Sequence, residues 1–199
     1  KIMPLEIRKF IDSLWKCPII KKGDYTYFVH PYTDGALPIN VFDINYLANE
    51  MNYALRIYDL NDEYNIDLVL VPEAMGIPIG HEVTGWLGKS YVVIRKRKYD
   101  LPGEIEITQQ TGYSASKMYI NSVRPGQNVI IIDDVVSTGG TLKAIINALK
   151  ANNINFLGSY TLIEKNGAAT KLREEGYNVK ALVNVITDQT GIINVVEND

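Results

Sequence analysis

Two adjacent carboxylates, Asp133 and Asp134, stand between an apolar run and a hydroxyl-rich glycine loop. Upstream lies Val129-Ile130-Ile131-Ile132, four β-branched residues without alternation, the pattern of a strand buried on both faces. Downstream lies Ser137-Thr138-Gly139-Gly140-Thr141, and then Leu142 to Leu149 with helical spacing. A strand, a glycine loop and a helix start together form an anion cradle. The glycines let backbone N–H groups converge, and the helix N-terminus adds partial positive charge. Ser137, Thr138 and Thr141 add hydroxyl donors. Carboxylates repel phosphate, so Asp133 and Asp134 must face another part of the ligand. Vicinal ribose hydroxyls suit them, because each carboxylate accepts two hydrogen bonds. The stretch predicts a ligand with a 5-phosphate at one end and a diol in its middle. It is not a Walker A loop, since no G-x-x-x-x-G-K-[ST] occurs.

This order of apolar strand, two acids, two residues and Ser-Thr-Gly-Gly-Thr resembles the phosphoribosyl-pyrophosphate (PRPP) motif of the type I phosphoribosyltransferases. The resemblance implies displacement of pyrophosphate from C1′ by a nitrogen of a base. It implies Mg²⁺ as cofactor, PRPP and a purine base as partners, and a homodimer. Asp133 and Asp134 would then hold the ribose and help place the metal, directly or through water. Ser137, Thr138, Gly139, Gly140 and Thr141 would hold the 5′-phosphate.

Two further loops extend the resemblance. Val71-Pro72-Glu73-Ala74-Met75-Gly76 directly follows an apolar strand, and Gly76 opens a helix, so amides again point at an anion. The segment resembles the pyrophosphate-contacting Pro-Glu-Ala-Arg-Gly loop of adenine and xanthine enzymes, with Met75 in place of the arginine. Glu73, Ala74, Met75 and Gly76 are therefore expected at the pyrophosphate. Arg95-Lys96-Arg97-Lys98 leaves the strand Tyr91–Ile94 as a run of four cations. A charge run is usually a solvated face, but pyrophosphate needs compensation at this end of a strand. It resembles the Arg-Lys-x-x-x-Leu-Pro segment of adenine-type enzymes. Arg95, Lys96 and Lys98 are expected to contact pyrophosphate, and the loop beyond them to close over the substrate. Gln110, Thr111 and Tyr113 are candidates at its far end.

A base needs an apolar or aromatic wall and some polar readers. Val135 and Leu162 are expected to supply wall, with Tyr25, Phe28 or Tyr32 added from the Tyr-rich segment 21–40. Lys165 matches the lysine that donates to O6 in 6-oxopurine enzymes of the family. Adenine-like features are the Pro72-Glu73-Ala74 and Leu101-Pro102-Gly103 segments. Ser137 stands where hypoxanthine-guanine enzymes carry an aspartate, and serine is no proton acceptor of matching pKa. The balance leans slightly to adenine, giving AMP, with hypoxanthine or guanine, giving IMP or GMP, as the alternative. A non-catalytic PRPP- or purine-binding regulator is remoter, since residues 1–65 show no basic helix-turn-helix. An orotate enzyme is disfavoured by the Pro72-Glu73-Ala74 loop.

The elements that must position these residues are legible in outline. Apolar spacing predicts helices over 4–16, 43–62, 77–87 and 168–175. Apolar runs predict strands over 66–71, 91–94, 129–132, 156–163 and 178–186. Strands alternating with helices imply an α/β fold, a mostly parallel doubly wound sheet. Residues 1–65 are expected to give helices and a small hood, and 66–186 the core of a single phosphoribosyltransferase domain. Residues 96–116 read as a long polar loop, 117–121 as a short strand, and the last three residues as frayed.

Composition narrows the class. With 46% hydrophobic and 22% charged residues the 199-residue chain is ordinary for a globular protein. A net charge of −3 argues against nucleic-acid binding. No window holds 18 uncharged apolar residues, so no membrane span is expected. Residues 1–16 carry charges throughout, so no signal peptide is expected. The lone Cys17 fits a reducing cytoplasm. His30 and His81 are read as structural, and one Cys with two His makes a protein-built zinc site unexpected.

Overall fold

The computed structural model describes residues 3–23, 25–111 and 114–198. In chain order the elements begin with α1 (Leu5–Lys16), β1 (Ile19–Lys22), β2 (Tyr25–Phe28), α2 (Pro31–Asp34), α3 (Val41–Ala54) and α4 (Ile57–Tyr64). The middle holds β3 (Leu68–Pro72), α5 (Gly76–Leu87), β4 (Tyr91–Ile94), β5 (Ile105–Thr111) and β6 (Ser114–Ile120). The chain ends with β7 (Asn128–Val136), α6 (Gly140–Ala151), β8 (Asn155–Lys165), α7 (Ala168–Glu174), β9 (Val179–Asp188) and β10 (Gly191–Glu197).

The main sheet has the order β10-β9-β8-β7-β3-β4. All its pairings are parallel except β10 on β9. The apolar run of β7 explains why this strand is central. Ile130 and Ile132 enter the core on one face with Val69 and Val71, while Val129 and Ile131 enter the core on the other with Leu68 and Leu70. Successive side chains point to opposite faces, so a strand covered on both sides needs an apolar residue at every position. Full burial of each such side chain contributes roughly 1.5–3 kcal/mol.

The two helices that flank the site leave on opposite faces. Ile79 and Val83 of α5 join the first core, and Ile145 and Ile146 of α6 join the second. Connections run outward from β3 to β4 and from β7 to β8 and β9, so strand order reverses between β3 and β7. The carboxyl ends of these two strands diverge into a crevice, the usual ligand position in such sheets.

Three local expectations change. The helix expected over 43–62 is two helices, broken at Arg56, whose φ is +61°. The break lets Leu55 and Ile57 both be buried. The Asn40 side chain caps the first of these helices, α3, its Oδ1 accepting from the Phe42 and Asp43 amides at 3.0 and 3.3 Å. The polar segment 96–116 contains most of a β5–β6 hairpin, in register Ile105↔Ile120 and Ile107↔Met118. Its inward face is apolar and period two, but too short to stand out beside Thr108-Gln109-Gln110. Finally, β10 adds an antiparallel edge strand beyond 186, and Asn198 is held by Glu164 Oε1 at 2.7 Å and the Ala181 carbonyl at 3.1 Å.

Candidate active site

The crevice is a cavity of about 470 Å³. Asp133, Asp134, Val135, Ser137, Thr138, Gly139 and Thr141 line it from β7 and the loop into α6. Pro72 and Glu73 line it from β3, and Lys96 from beyond β4. The hairpin contributes Gln109, Ser116, Lys117 and Met118, none of them singled out by sequence pattern.

The glycine loop is built for close approach. Gly139 has φ +77°, and a Cβ there would lie 2.9 Å from Leu172 of α7. Two independent constraints thus require glycine. No side chain caps α6, so its first-turn amides stay available to an anion. The Gly140 amide reaches Thr138 Oγ1 only at 3.5 Å. The Thr141 hydroxyl donates to Gln109 Oε1 at 3.0 Å, which docks the hairpin against the loop.

The acidic pair lies on β7 itself, since the strand runs on to Val136. Asp133 Oδ1 accepts from the Asp134 amide at 2.9 Å. Asp134 is 7% exposed. Burial pushes both carboxyls up from the usual carboxylate range, and the charge of Asp133 pushes Asp134 further. Gly76, expected at an anion, has a different role: a Cβ on it would stand 2.8 Å from Asp133 Oδ1. The start of α5 can approach the acidic pair only without a side chain.

The expected pyrophosphate contacts divide. Lys96 lines the cavity, and its amide donates to Glu73 Oε1 at 2.5 Å. Glu73 Oε2 pairs with Arg95 Nε at 2.8 Å. Glu73 therefore anchors the start of the cationic run rather than offering an anion a contact. Arg95 does not line the cavity, and neither does Lys98, which pairs with Asp100 at 2.5 Å. Ala74 and Met75 also stand outside it; the Met75 sulfur packs on Gly35, where a Cβ would come within 2.8 Å. The Glu73–Ala74 peptide is cis. Tyr113 lies outside the described residues, as do the side chains of Tyr25, Gln110 and Thr111.

A second cavity, of about 270 Å³, opens beside the first. Val135 lines both. Its other lining residues are Lys165, Tyr27, Phe28, Thr33 and Asp34. The Lys165 ammonium sits over the Phe28 ring, 4.6 Å from its centroid. Burial lowers its pKa, while Asp34 and Asp134 oppose that shift. Leu162 is not part of this wall. It is fully buried in the core with Tyr160, whereas Ser159 and Thr161, of opposite parity on β8, face the crevice. Tyr32 is likewise buried, edge-on to His30 and tilted against Phe10.

An anion-cradle loop and a buried acidic pair meet at the switch point of a doubly wound, mostly parallel sheet. The phosphoribosyl transferase domain family matches residues 41–194, and the chain belongs to that family. The hypoxanthine/guanine phosphoribosyltransferase of Ferroglobus placidus is 41% identical over 186 residues, covering 94% of this chain and 96% of that protein. That of Methanothrix thermoacetophila is 42% identical over 193 residues, covering 97% of each. Among solved structures, adenine phosphoribosyltransferase from Saccharomyces cerevisiae aligns with a TM-score of 0.66 at 22% identity, over 87% of this chain and 98% of that one. The adenine phosphoribosyltransferase from Thermoanaerobacter pseudethanolicus gives 0.62 at 22%, over 88% and 98%. These two establish the fold alone. Among the described residues no helix is long and apolar enough to cross a membrane.

Proposed function

We propose that this purine phosphoribosyltransferase acts on hypoxanthine and guanine, converting each with PRPP into IMP or GMP and pyrophosphate. The observation that carries the reading is the meeting of two cavities at Val135: one has the anion loop and the acids, the other has Lys165. A nucleotide spanning them would place its 5′-phosphate on Ser137–Thr141, its ribose diol at Asp133 and Asp134, and its base beside Lys165. The bond between C1′ and the base would then form where the cavities join.

The sequence leaned towards adenine, and the curated relatives fit the hypoxanthine/guanine alternative better. Glu73 is taken up by Arg95 and the Lys96 amide at the anion crevice, so this loop does not discriminate between bases. Lys165, an obligate donor, matches the O6 acceptor of a 6-oxopurine.

In the reaction, pyrophosphate leaves C1′ as a purine nitrogen attacks, and negative charge grows on the leaving group. Lys96 and Lys117 line the crevice and would offset that charge. Asp133 and Asp134 fix the ribose and oppose positive charge on the ring. The docked hairpin shields the reacting carbon from water.

Among the described residues no group of three or more His, Cys, Asp or Glu could cage a metal. Two carboxylates fit Mg²⁺ nonetheless, because it favours substrate oxygens and waters over an all-protein cage. Bound with PRPP, it would supply charge neutralisation at the pyrophosphate. We infer a cytoplasmic homodimer from the family resemblance and the lone Cys17, and sedimentation tests the pairing. Incubation with PRPP, Mg²⁺ and adenine, hypoxanthine, guanine or xanthine separately tests the main reading. IMP and GMP are expected; AMP as the dominant product would overturn it.

A further inference from the structure

We propose that Asp34 is the second base-reading side chain, acting with Lys165 to select purines that carry oxygen at C6 and hydrogen at N1, and to reject those with oxygen at C2. This rests on the assignment of the smaller cavity as the base seat.

The placement is specific. Among the residues lining that cavity, Asp34 and Lys165 carry the charges, one from the hood and one from the end of β8. Lys165 does not sit on Asp34; it lies over Phe28. Their charges still interact, because Asp34 raises the lysine's proton affinity. A donor and an acceptor thus face one space without cancelling each other.

Asp34 is held in one orientation. It ends α2, and its Oδ2 accepts from the His30 amide at 2.9 Å and the Thr33 hydroxyl at 2.6 Å. Neither bond uses Oδ1. The next residue, Gly35, turns the chain with φ +64° and packs on Met75, so both sides of Asp34 are anchored. His30 is buried against Ser13, Phe10 and Tyr32, and burial lowers its pKa to about 4. At neutral pH it adds no cation beside the carboxylate.

The chemistry follows from donor and acceptor order. Lysine offers only donors, and a carboxylate only acceptors. A 6-oxopurine presents O6 as acceptor and N1–H as donor side by side, and guanine adds the C2 amino group as a second donor. Lys165 to O6 and Asp34 to N1–H and the amino group satisfies every atom on that edge. Xanthine would turn its O2 towards the carboxylate. Adenine would turn its amino group towards the ammonium. Each leaves a polar group facing its own kind, and a site built on hydrogen bonds discriminates strongly on that basis.

The test is Asp34→Asn, whose amide oxygen can keep the bonds to His30 and Thr33. GMP, xanthosine 5′-monophosphate and ribose 5-phosphate are titrated into both proteins by calorimetry. The variant is expected to bind GMP about tenfold or more weakly, bind xanthosine monophosphate better relative to GMP, and hold ribose 5-phosphate as before. Equal losses for all three, or no change in the GMP to xanthosine monophosphate ratio, would overturn the assignment. If the unaltered protein binds GMP no better than ribose 5-phosphate, the base seat itself is misplaced, and this inference falls with it.

Discussion

Gln109 and Thr141 are 32 residues apart in the chain, yet the Thr141 hydroxyl donates to Gln109 Oε1 at 3.0 Å. One strand of the β5–β6 hairpin is thereby tied to the first turn of α6, on the loop that would hold the 5′-phosphate. A hydroxyl has one proton to donate. A phosphate seated on that loop would compete with Gln109 for it.

Gln109→Ala removes that competitor. An intramolecular hydrogen bond of this kind contributes about 0.5–1.5 kcal/mol. Ribose 5-phosphate should bind roughly two- to tenfold tighter to the variant, while the unliganded hairpin should be cut faster by protease between Lys96 and Lys117. Weaker binding would mean that Gln109 supports the loop instead of contesting it.

The acidic pair should trade stability for activity. A buried carboxyl with a raised pKa is favoured folded when protonated. Its cost is absent below the unfolded-state value, grows as pH rises towards the folded value, and is fully present above it. Asp134→Asn should therefore raise the melting temperature at pH 8 by a few degrees, on the order of 1–2 kcal/mol, and give little gain near pH 4. Turnover with Asp133→Asn and Asp134→Asn combined should be abolished. An unchanged kcat/KM would remove the ribose assignment.

Lys165→Ala separates the bases. Losing a charged donor to O6 should cost hypoxanthine and guanine about 1–3 kcal/mol in kcat/KM. Any residual adenine turnover should not fall with it. A parallel loss on all bases would assign Lys165 to the packing of Phe28.

Gly139→Ala tests the loop. The new Cβ meets both a left-handed backbone and the Leu172 side chain. A stability loss of roughly 1–3 kcal/mol is expected, with a larger proportional loss of PRPP affinity because the amides shift. Denaturant titration and PRPP binding, measured together, check the two parts. Full PRPP affinity in a folded variant would contradict the cradle.

What the sequence alone determined is what neighbouring residues decide among themselves. Residues 129–141 declare their strand, acids, glycine turn and helix start because each depends on local sterics and burial, and the structure brings nearly all of them to one crevice. Leu162 shows the limit. Its apolar character was evident, but which face of β8 it took depended on strand parity set by its neighbours in the sheet. The hairpin was hidden because its apolar face rests on two alternating pairs, Ile105 with Ile120 and Ile107 with Met118, that meet only when the chain turns back. Asp34 and Gln109 gave no local signal. Asp34 reaches the smaller cavity only because the segment from β2 to α2 packs at the end of β8, and Gln109 reaches the glycine loop only because the hairpin docks on α6. Cavities at the ends of parallel strands are assembled from segments distant in sequence, and only tertiary packing decides which of those segments arrive.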